Sequence, residues 1–352
     1  MQVLPDEKNT TPALLSTVSK LILLIVLLII ALIAMPVYFY FARKTAPADK
    51  VSKQAAKQPA ADFKKAVKFW QPAELLLIED DSIRELALYG RELIAHTSKY
   101  LGPKGSVEAL SNGMNCQNCH LQAGTAVFGN NFGAVAASYP KFRARSGTEE
   151  KLTKRIEDCF ERSLNGKAPA LASREMRALV TYIEYIGSNV SRGGTAAGSG
   201  LKDLAFLNRA ADPHAGKQVY EIKCQSCHQA DGSGVLNPSG TEYTFPPLWG
   251  NASYNDGAGL FRLSNFARFA KYNMPQGATH ENIFLSDEEA WDVAAYVNTQ
   301  PRPHLRVPRD WPDIRSKPAD HPFGPYADSF SEKQHKFGPF APIVAAQTKG
   351  KP

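Results

Sequence analysis

Stretches of alternating apolar and polar residues, the mark of a half-buried strand, are missing from both halves of this 352-residue chain. Their absence argues against a sandwich or barrel and for an all-α fold. Cysteine is scarce too. Of the five, four fall in two short clusters, with no further Cys/His pairs nearby to complete a zinc site. Positive charge is present but not concentrated: the formal net charge is +7, without a dense Lys/Arg stripe or interleaved base-stacking aromatics. That pattern excludes nucleic acid as the partner and suits a small anionic substrate or an acidic redox protein. An apolar content of 43% is enough for two modest cores, so disordered and fibrous classes are excluded as well.

What the chain does contain is organised around residues 115–120, Asn-Cys-Gln-Asn-Cys-His. A Cys-x-x-Cys-His run is the attachment signature of c-type haem. Cys116 and Cys119 would form the two thioethers, and the imidazole of His120 would supply the proximal iron ligand. A second copy follows at Cys224, Cys227 and His228. A lone copy would fit zinc or a redox dithiol equally well, whereas one copy per domain-sized segment points to two covalently bound haem c groups.

The N-terminus reads differently. Residues 21–42 carry no charge and are mostly Leu, Ile and Val, bounded by Lys20 and by Arg43-Lys44. Roughly 20 such residues span a bilayer, and a signal peptide has a shorter apolar core. The expectation is a cytoplasmic stub with a transmembrane anchor over 1–44. The flanking charges leave the orientation open. Covalent haem resembles what bacteria assemble outside the inner membrane, which places the later domains in the periplasm of a single-pass protein. Residues 45–62, rich in Ala, Lys, Pro and Gln, read as a flexible tether.

The two segments that follow match each other. In 63–190 an N-terminal helix over about 80–100 carries Gly90 as a small contact point. In 191–303, Asp212-Pro213 opens a helix with Gly216 and Tyr220. At their far ends, Met176 to Tyr182 parallels Trp291 to Tyr296. Each resembles the C-terminal helix that crosses the N-terminal one in a class I cytochrome c domain, and the Gly- and Ser-rich residues 187–200 read as the linker. Met274, in Asn-Met-Pro, has the usual setting of a distal thioether ligand, with a buried core methionine as the alternative. Set against this repeat, Cys159 falls within one residue of the place of Met274. Met176 belongs to the C-terminal helix, and Met114 lies too near the attachment site to reach the far face. A lone Cys is more often an inert buried residue. Here a helix started by Thr148-Glu149-Glu150 and ended by Asn165-Gly166 would put Arg155 and Ser163 one turn either side of it, with Arg145 and Lys167 just outside.

The first haem motif with Leu-Gln-Ala-Gly-Thr after it, the run from Asp158 to Lys167, Phe-Pro-Pro-Leu-Trp-Gly at 245–250 and Asn-Met274-Pro together resemble the dihaem thiosulfate dehydrogenase family, over about residues 70–303. The resemblance implies His120/Cys159 ligation of an active-site haem 1, His228/Met274 ligation of an electron-exit haem 2, and an anion pocket of Arg145, Arg155, Ser163 and Lys167 around Cys159. It also implies coupling of two thiosulfates to tetrathionate, with the two electrons passed to a periplasmic or membrane-bound acceptor such as a cytochrome c or terminal oxidase. Some relatives carry a lysine just before the distal methionine, where this chain has Asn273. Two rivals stay open: a dihaem electron relay in which Cys159 is structural, and a different sulfur-transfer enzyme. Residues 304–352 form a C-terminal extension that repeats His321-Pro-Phe-Gly-Pro-Tyr326 as His335-Lys-Phe-Gly-Pro-Phe340. A strap over the domain surface is the expectation for it.

Overall fold

Helix α1 (Asp81–Ala95) begins where the Asp80 carboxylate accepts a bond from the Ile83 amide at 3.0 Å, filling one of the open donors of the first turn. It buries Ala87, Gly90, Leu93 and Ile94. The structure is a computed structural model that describes residues 19–29, 32, 34–35 and 69–349; the tether expected over 45–62 lies outside these. Helix α2 (Leu152–Asp158) and helix α3 (Arg174–Ile186) complete the first set, with Ser173 capping α3 by accepting from the Met176 amide. Helices α1 and α3 cross at Gly90. A Cβ there would stand 2.1 Å from the Ala178 carbonyl oxygen, so only glycine lets the two backbones meet.

The second set repeats this construction. Helix α4 (Pro213–Lys223) starts on an Asp212 cap with Pro213 in its first turn, and helix α5 (Leu263–Asn273) leads directly to Met274. Helix α6 (Asp287–Thr299) starts on a Ser286/Glu289 capping box. It crosses α4 at Gly216, where a Cβ would lie 1.8 Å from the Asp292 carbonyl oxygen. The chain from Val67 to Pro352 forms one compact unit. Buried Leu93, Tyr182 and Met176 in one half and Tyr220, Leu263 and Trp291 in the other belong to one continuous apolar cluster.

Two expectations require correction. Among the described residues no helix is long and apolar enough to cross a membrane, which overturns the transmembrane N-terminal helix of the expected fold and the single-pass inner-membrane location built on it. Residues 30, 31, 33 and 36–42 of the expected span lie outside the described residues. Nor is the chain wholly helical. Among the described residues there are three two-stranded antiparallel pairs, β1 (Gly129–Asn131) with β4 (Gly200–Leu201), β2 (Lys141–Arg143) with β3 (Thr148–Glu150), and β5 (Val235–Leu236) with β6 (Tyr243–Phe245). These strands are two or three residues long, too short to show an alternation. Thr148–Glu150, expected to start a helix, is β3. Its Glu150 faces Lys141 across the pair and lies 3.9 Å from the Arg143 guanidinium, so its acidic charge serves a cross-strand contact.

The C-terminal extension packs onto this unit, burying Trp311, Ala319, Phe340 and Ile343. Asp320 accepts from Arg262 at 2.6 Å and from the Ser264 amide at 3.0 Å, and Asp310 takes both ends of the Arg162 guanidinium at 2.9 Å. The repeated histidines each fix a turn of this strap. His335 bonds the Ala319 carbonyl at 2.8 Å and Asp328 at 3.0 Å, and His321 accepts from the Trp311 indole at 2.9 Å.

Candidate active site

Cys159 is the first residue after α2 and opens a π-helical turn, Cys159–Ser163. The turn closes through the Leu164 amide on the Cys159 carbonyl at 3.0 Å, a five-residue step of the kind often found at functional sites. A wider turn leaves carbonyls for others to satisfy. Asn255, from the second half of the chain, donates to the Glu161 carbonyl at 2.8 Å, and its own amide donates to the Arg162 carbonyl at 3.1 Å. The cysteine's turn is thus held from outside its own helix.

A cavity of about 260 Å³ lies beside this turn and is lined by Cys116, His120, Arg155 and Cys159 together, with Leu152, Ile156, Phe160 and Leu179 as its apolar walls. His120 Nδ1 donates to the Asn130 carbonyl in β1 at 2.6 Å, which leaves Nε2 unprotonated and free to coordinate. Burial holds His120 down to about 4, so the imidazole is neutral, as a ligand must be. Burial also pushes the Cys116 and Cys119 thiols up to about 12. Arg155 is held above its ordinary value, first by the charge of Cys159 and against the cost of burial. At the second motif, His228 is buried with Nδ1 on the Pro246 carbonyl at 2.8 Å, so its Nε2 is free in the same way. Pro246 belongs to the Phe-Pro-Pro-Leu-Trp-Gly run, which gives that stretch a physical role.

The other expected residues are placed apart. Ser163 ends the π turn and Lys167 is exposed, and neither lines the Cys159 cavity. Arg145 lines a different, larger cavity, and burial, then the charges of Arg162 and Arg155, hold its guanidinium below its ordinary value. In their place the structure brings Tyr139, Lys141 and Arg143 to the wall beside Arg155. Burial, then Arg143 and Arg155, hold Lys141 below its ordinary value, and burial raises Tyr139. The basic run Lys-Phe-Arg-Ala-Arg at 141–145 was the available signal in the sequence. Met274 follows the last residue of α5, and its neighbour Asn273 is buried, donating to the Phe269 carbonyl at 3.1 Å and to the Phe128 carbonyl at 3.3 Å.

The SoxA/TsdA cytochrome c domain matches residues 107–194, and the cytochrome c family matches residues 213–301. A thiosulfate dehydrogenase from Allochromatium vinosum is 39% identical over 236 residues, 66% of this chain and 84% of that protein. Another from Stutzerimonas stutzeri is 34% identical, covering 67% of this chain and 73% of its own length. The chain belongs to the thiosulfate dehydrogenase family. It is an enzyme of the cytochrome c type with two cytochrome c domains and two covalently bound haem c groups. Among solved structures, thiosulfate dehydrogenase (TsdBA) from Marichromatium purpuratum in its as isolated form aligns with a TM-score of 0.62 at 31% identity, over 68% of this chain. The chain spans half the length of that protein. The residues fit the group: at each motif two cysteines precede a histidine whose Nδ1 is committed to a carbonyl and whose Nε2 is open.

Proposed function

We propose that this enzyme oxidises thiosulfate, coupling two molecules into tetrathionate; His120 with Cys159, and His228 with Met274, would hold the two haem c groups, which would supply the route for electrons to a cytochrome c or terminal oxidase. The observation that carries this reading is the cavity shared by His120, Cys159 and Arg155. Bound there, haem c supplies one-electron acceptors, and Met/His coordination sets the higher potential of the pair. The chain's own part is electrostatic. Each thiosulfate is a dianion, and Lys141, Arg143 and Arg155 on the cavity wall offset the repulsion between two of them in a partly desolvated site. Arg145, Ser163 and Lys167 enter this reading through the family resemblance alone.

Cys159 has a second task in this reading. Its thiolate sulfur bonds to the outer sulfur of one thiosulfate as two electrons are released. The second thiosulfate then attacks that same sulfur, the bond to Cys159 breaks, and tetrathionate leaves with the thiolate restored. Charge and electrons balance over the two steps. The division into domains 63–190 and 191–303 belongs to the same proposal, with chemistry in the first and electron exit in the second. The test is purified holoprotein with thiosulfate and ferricyanide. Tetrathionate should form at half the molar amount of thiosulfate consumed, and ferricyanide reduction without tetrathionate would favour the electron-relay reading.

A further inference from the structure

The turn that Cys159 opens ends with carbonyls that its own helix cannot satisfy, and their partners come from one residue. Asn255 is fully buried and belongs to the second half of the chain. Its side-chain nitrogen donates to the Glu161 carbonyl at 2.8 Å and to the Asn165 side-chain oxygen at 2.9 Å, and its backbone amide donates to the Arg162 carbonyl at 3.1 Å. Its side-chain oxygen accepts from the Gly257 amide at 3.1 Å. Both N–H groups and the oxygen of the side chain are therefore engaged. Every bond that Asn255 donates falls on the Cys159 turn or on Asn165, just beyond it.

The stretch that Asn255 fixes carries the Leu164 amide, and that amide closes the turn on the carbonyl of Cys159 itself. At Asn165 the backbone leaves the helix with a φ of 42°. The clamp is rigid because its own segment is tied on both sides. Asn112 of the first half donates to the Ser253 carbonyl at 3.0 Å, and the Asp256 amide donates to the Pro303 carbonyl at 3.1 Å. Arg162, inside the same turn, is held in addition by Asp310 of the strap at 2.9 Å. The cations of the cavity wall stand elsewhere: Lys141 and Arg143 lie in β2 and Arg155 in α2, and Asn255 bonds neither element.

We propose that Asn255 is a positioning residue for Cys159: by capping the π turn from the second cytochrome half, it fixes the backbone that presents the cysteine to the cavity. The chemistry of Cys159 rests on the proposed function; the hold on its turn does not. A misplacement of about 1 Å at a reacting group costs roughly 100-fold in rate. Binding of the anions depends instead on cations carried by other elements, so loss of the clamp should reach turnover and spare affinity. The first half would then need the second for the geometry of its cysteine as well as for the exit of electrons.

The test compares purified dihaem Asn255→Leu and Asn255→Asp with the wild type at about pH 8, where a carboxyl is ionised. The aspartate keeps the size and the acceptor for Gly257 but turns a second acceptor toward the Glu161 carbonyl and Asn165, so both variants should behave alike. Hydrogen exchange of the Leu164 and Gly166 amides should quicken at least tenfold. The kcat for thiosulfate should fall at least tenfold, with KM changed less than threefold. Arg209→Ala breaks a pair with Asp292 away from the turn, controls for lost stability, and should leave kcat and that exchange unchanged. If Asn255→Leu does not fold, Asn255→Asp carries the test. Wild-type kcat in either folded variant, a loss carried by KM, or an equal fall in Arg209→Ala overturns the proposal. A wild type that makes no tetrathionate would instead reject the proposed function, and exchange of the Leu164 amide would then decide the positioning claim alone.

Discussion

Arg155 and Cys159 occupy one wall of a small cavity, and each explains the other's setting: the guanidinium is held charged by the sulfur beside it. Replacing Arg155 by Ala should raise the KM for thiosulfate by about 10- to 100-fold, the worth of a hydrogen bond to a charged group. Both haems should remain attached, which steady-state kinetics beside a haem-stained gel would check. At the other haem, Met274→Gly should remove the sulfur-to-iron band from the reduced spectrum and lower that haem's potential. An unchanged spectrum would assign the ligand elsewhere. These candidates rest on short motifs: a Cys-x-x-Cys-His run, a methionine before proline, and a lone cysteine at the matching position of a repeat. Lys141 and Arg143 were not read as site residues, because only the pairing of β2 with β3 turns that segment toward the cavity.

Between elements, two glycines decide the architecture. At Gly90 and Gly216 the crossing helices touch backbone to backbone, so Gly90→Ala or Gly216→Ala must push the helices apart or be refused. A destabilisation of about 3 kcal/mol or more is expected for either, at the upper end of overpacking costs, measurable by chemical denaturation of the holoprotein. A shift near zero would show that the crossings yield easily. The helix pairs could be expected from the sequence because both halves repeat the same caps and apolar spacing. The π turn could not. It departs from α-helical geometry at Cys159, and its carbonyls are satisfied by Asn255, nearly a hundred residues away in the sequence. A straight helix through Ser163 was the reading that local periodicity allowed, and the contact that changes it is not local. The same holds for β3, whose acidic residues suited a helix start equally well until Lys141 and Arg143 lay opposite.

Over the whole molecule, the strap is where sequence reasoning stopped. Its repeated His-x-Phe-Gly-Pro runs gave no function; the same extension sets Asp310 and Asp320 against arginines of both cytochrome halves. Burial alone would raise the pKa of Asp320, but the Arg262 charge and the Ser264 bonds outweigh it and hold the carboxyl below its ordinary value. A depressed carboxyl stabilises the fold above the unfolded pKa of about 4 and loses that contribution as pH falls through the folded value. Asp320→Asn should therefore cost about 3 kcal/mol near neutral pH, as expected for breaking a buried pair. It should also flatten the fall in melting temperature between about pH 4 and pH 2. Equal acid profiles for the two proteins would remove Asp320 as a source of acid sensitivity. The expected membrane anchor failed at this scale as well: a charge-free stretch long enough on paper does not form a membrane-length helix among the described residues.

The central claim is that Cys159 performs the chemistry on thiosulfate, and the most direct measurement is tetrathionate formed per ferricyanide reduced by purified Cys159→Gly holoprotein. Cys116, Cys119, Cys224 and Cys227 are untouched by the substitution, so both haems should remain covalently attached. Tetrathionate formation should nevertheless be abolished. Near-normal turnover in that variant would contradict the account and leave a dihaem electron relay in its place.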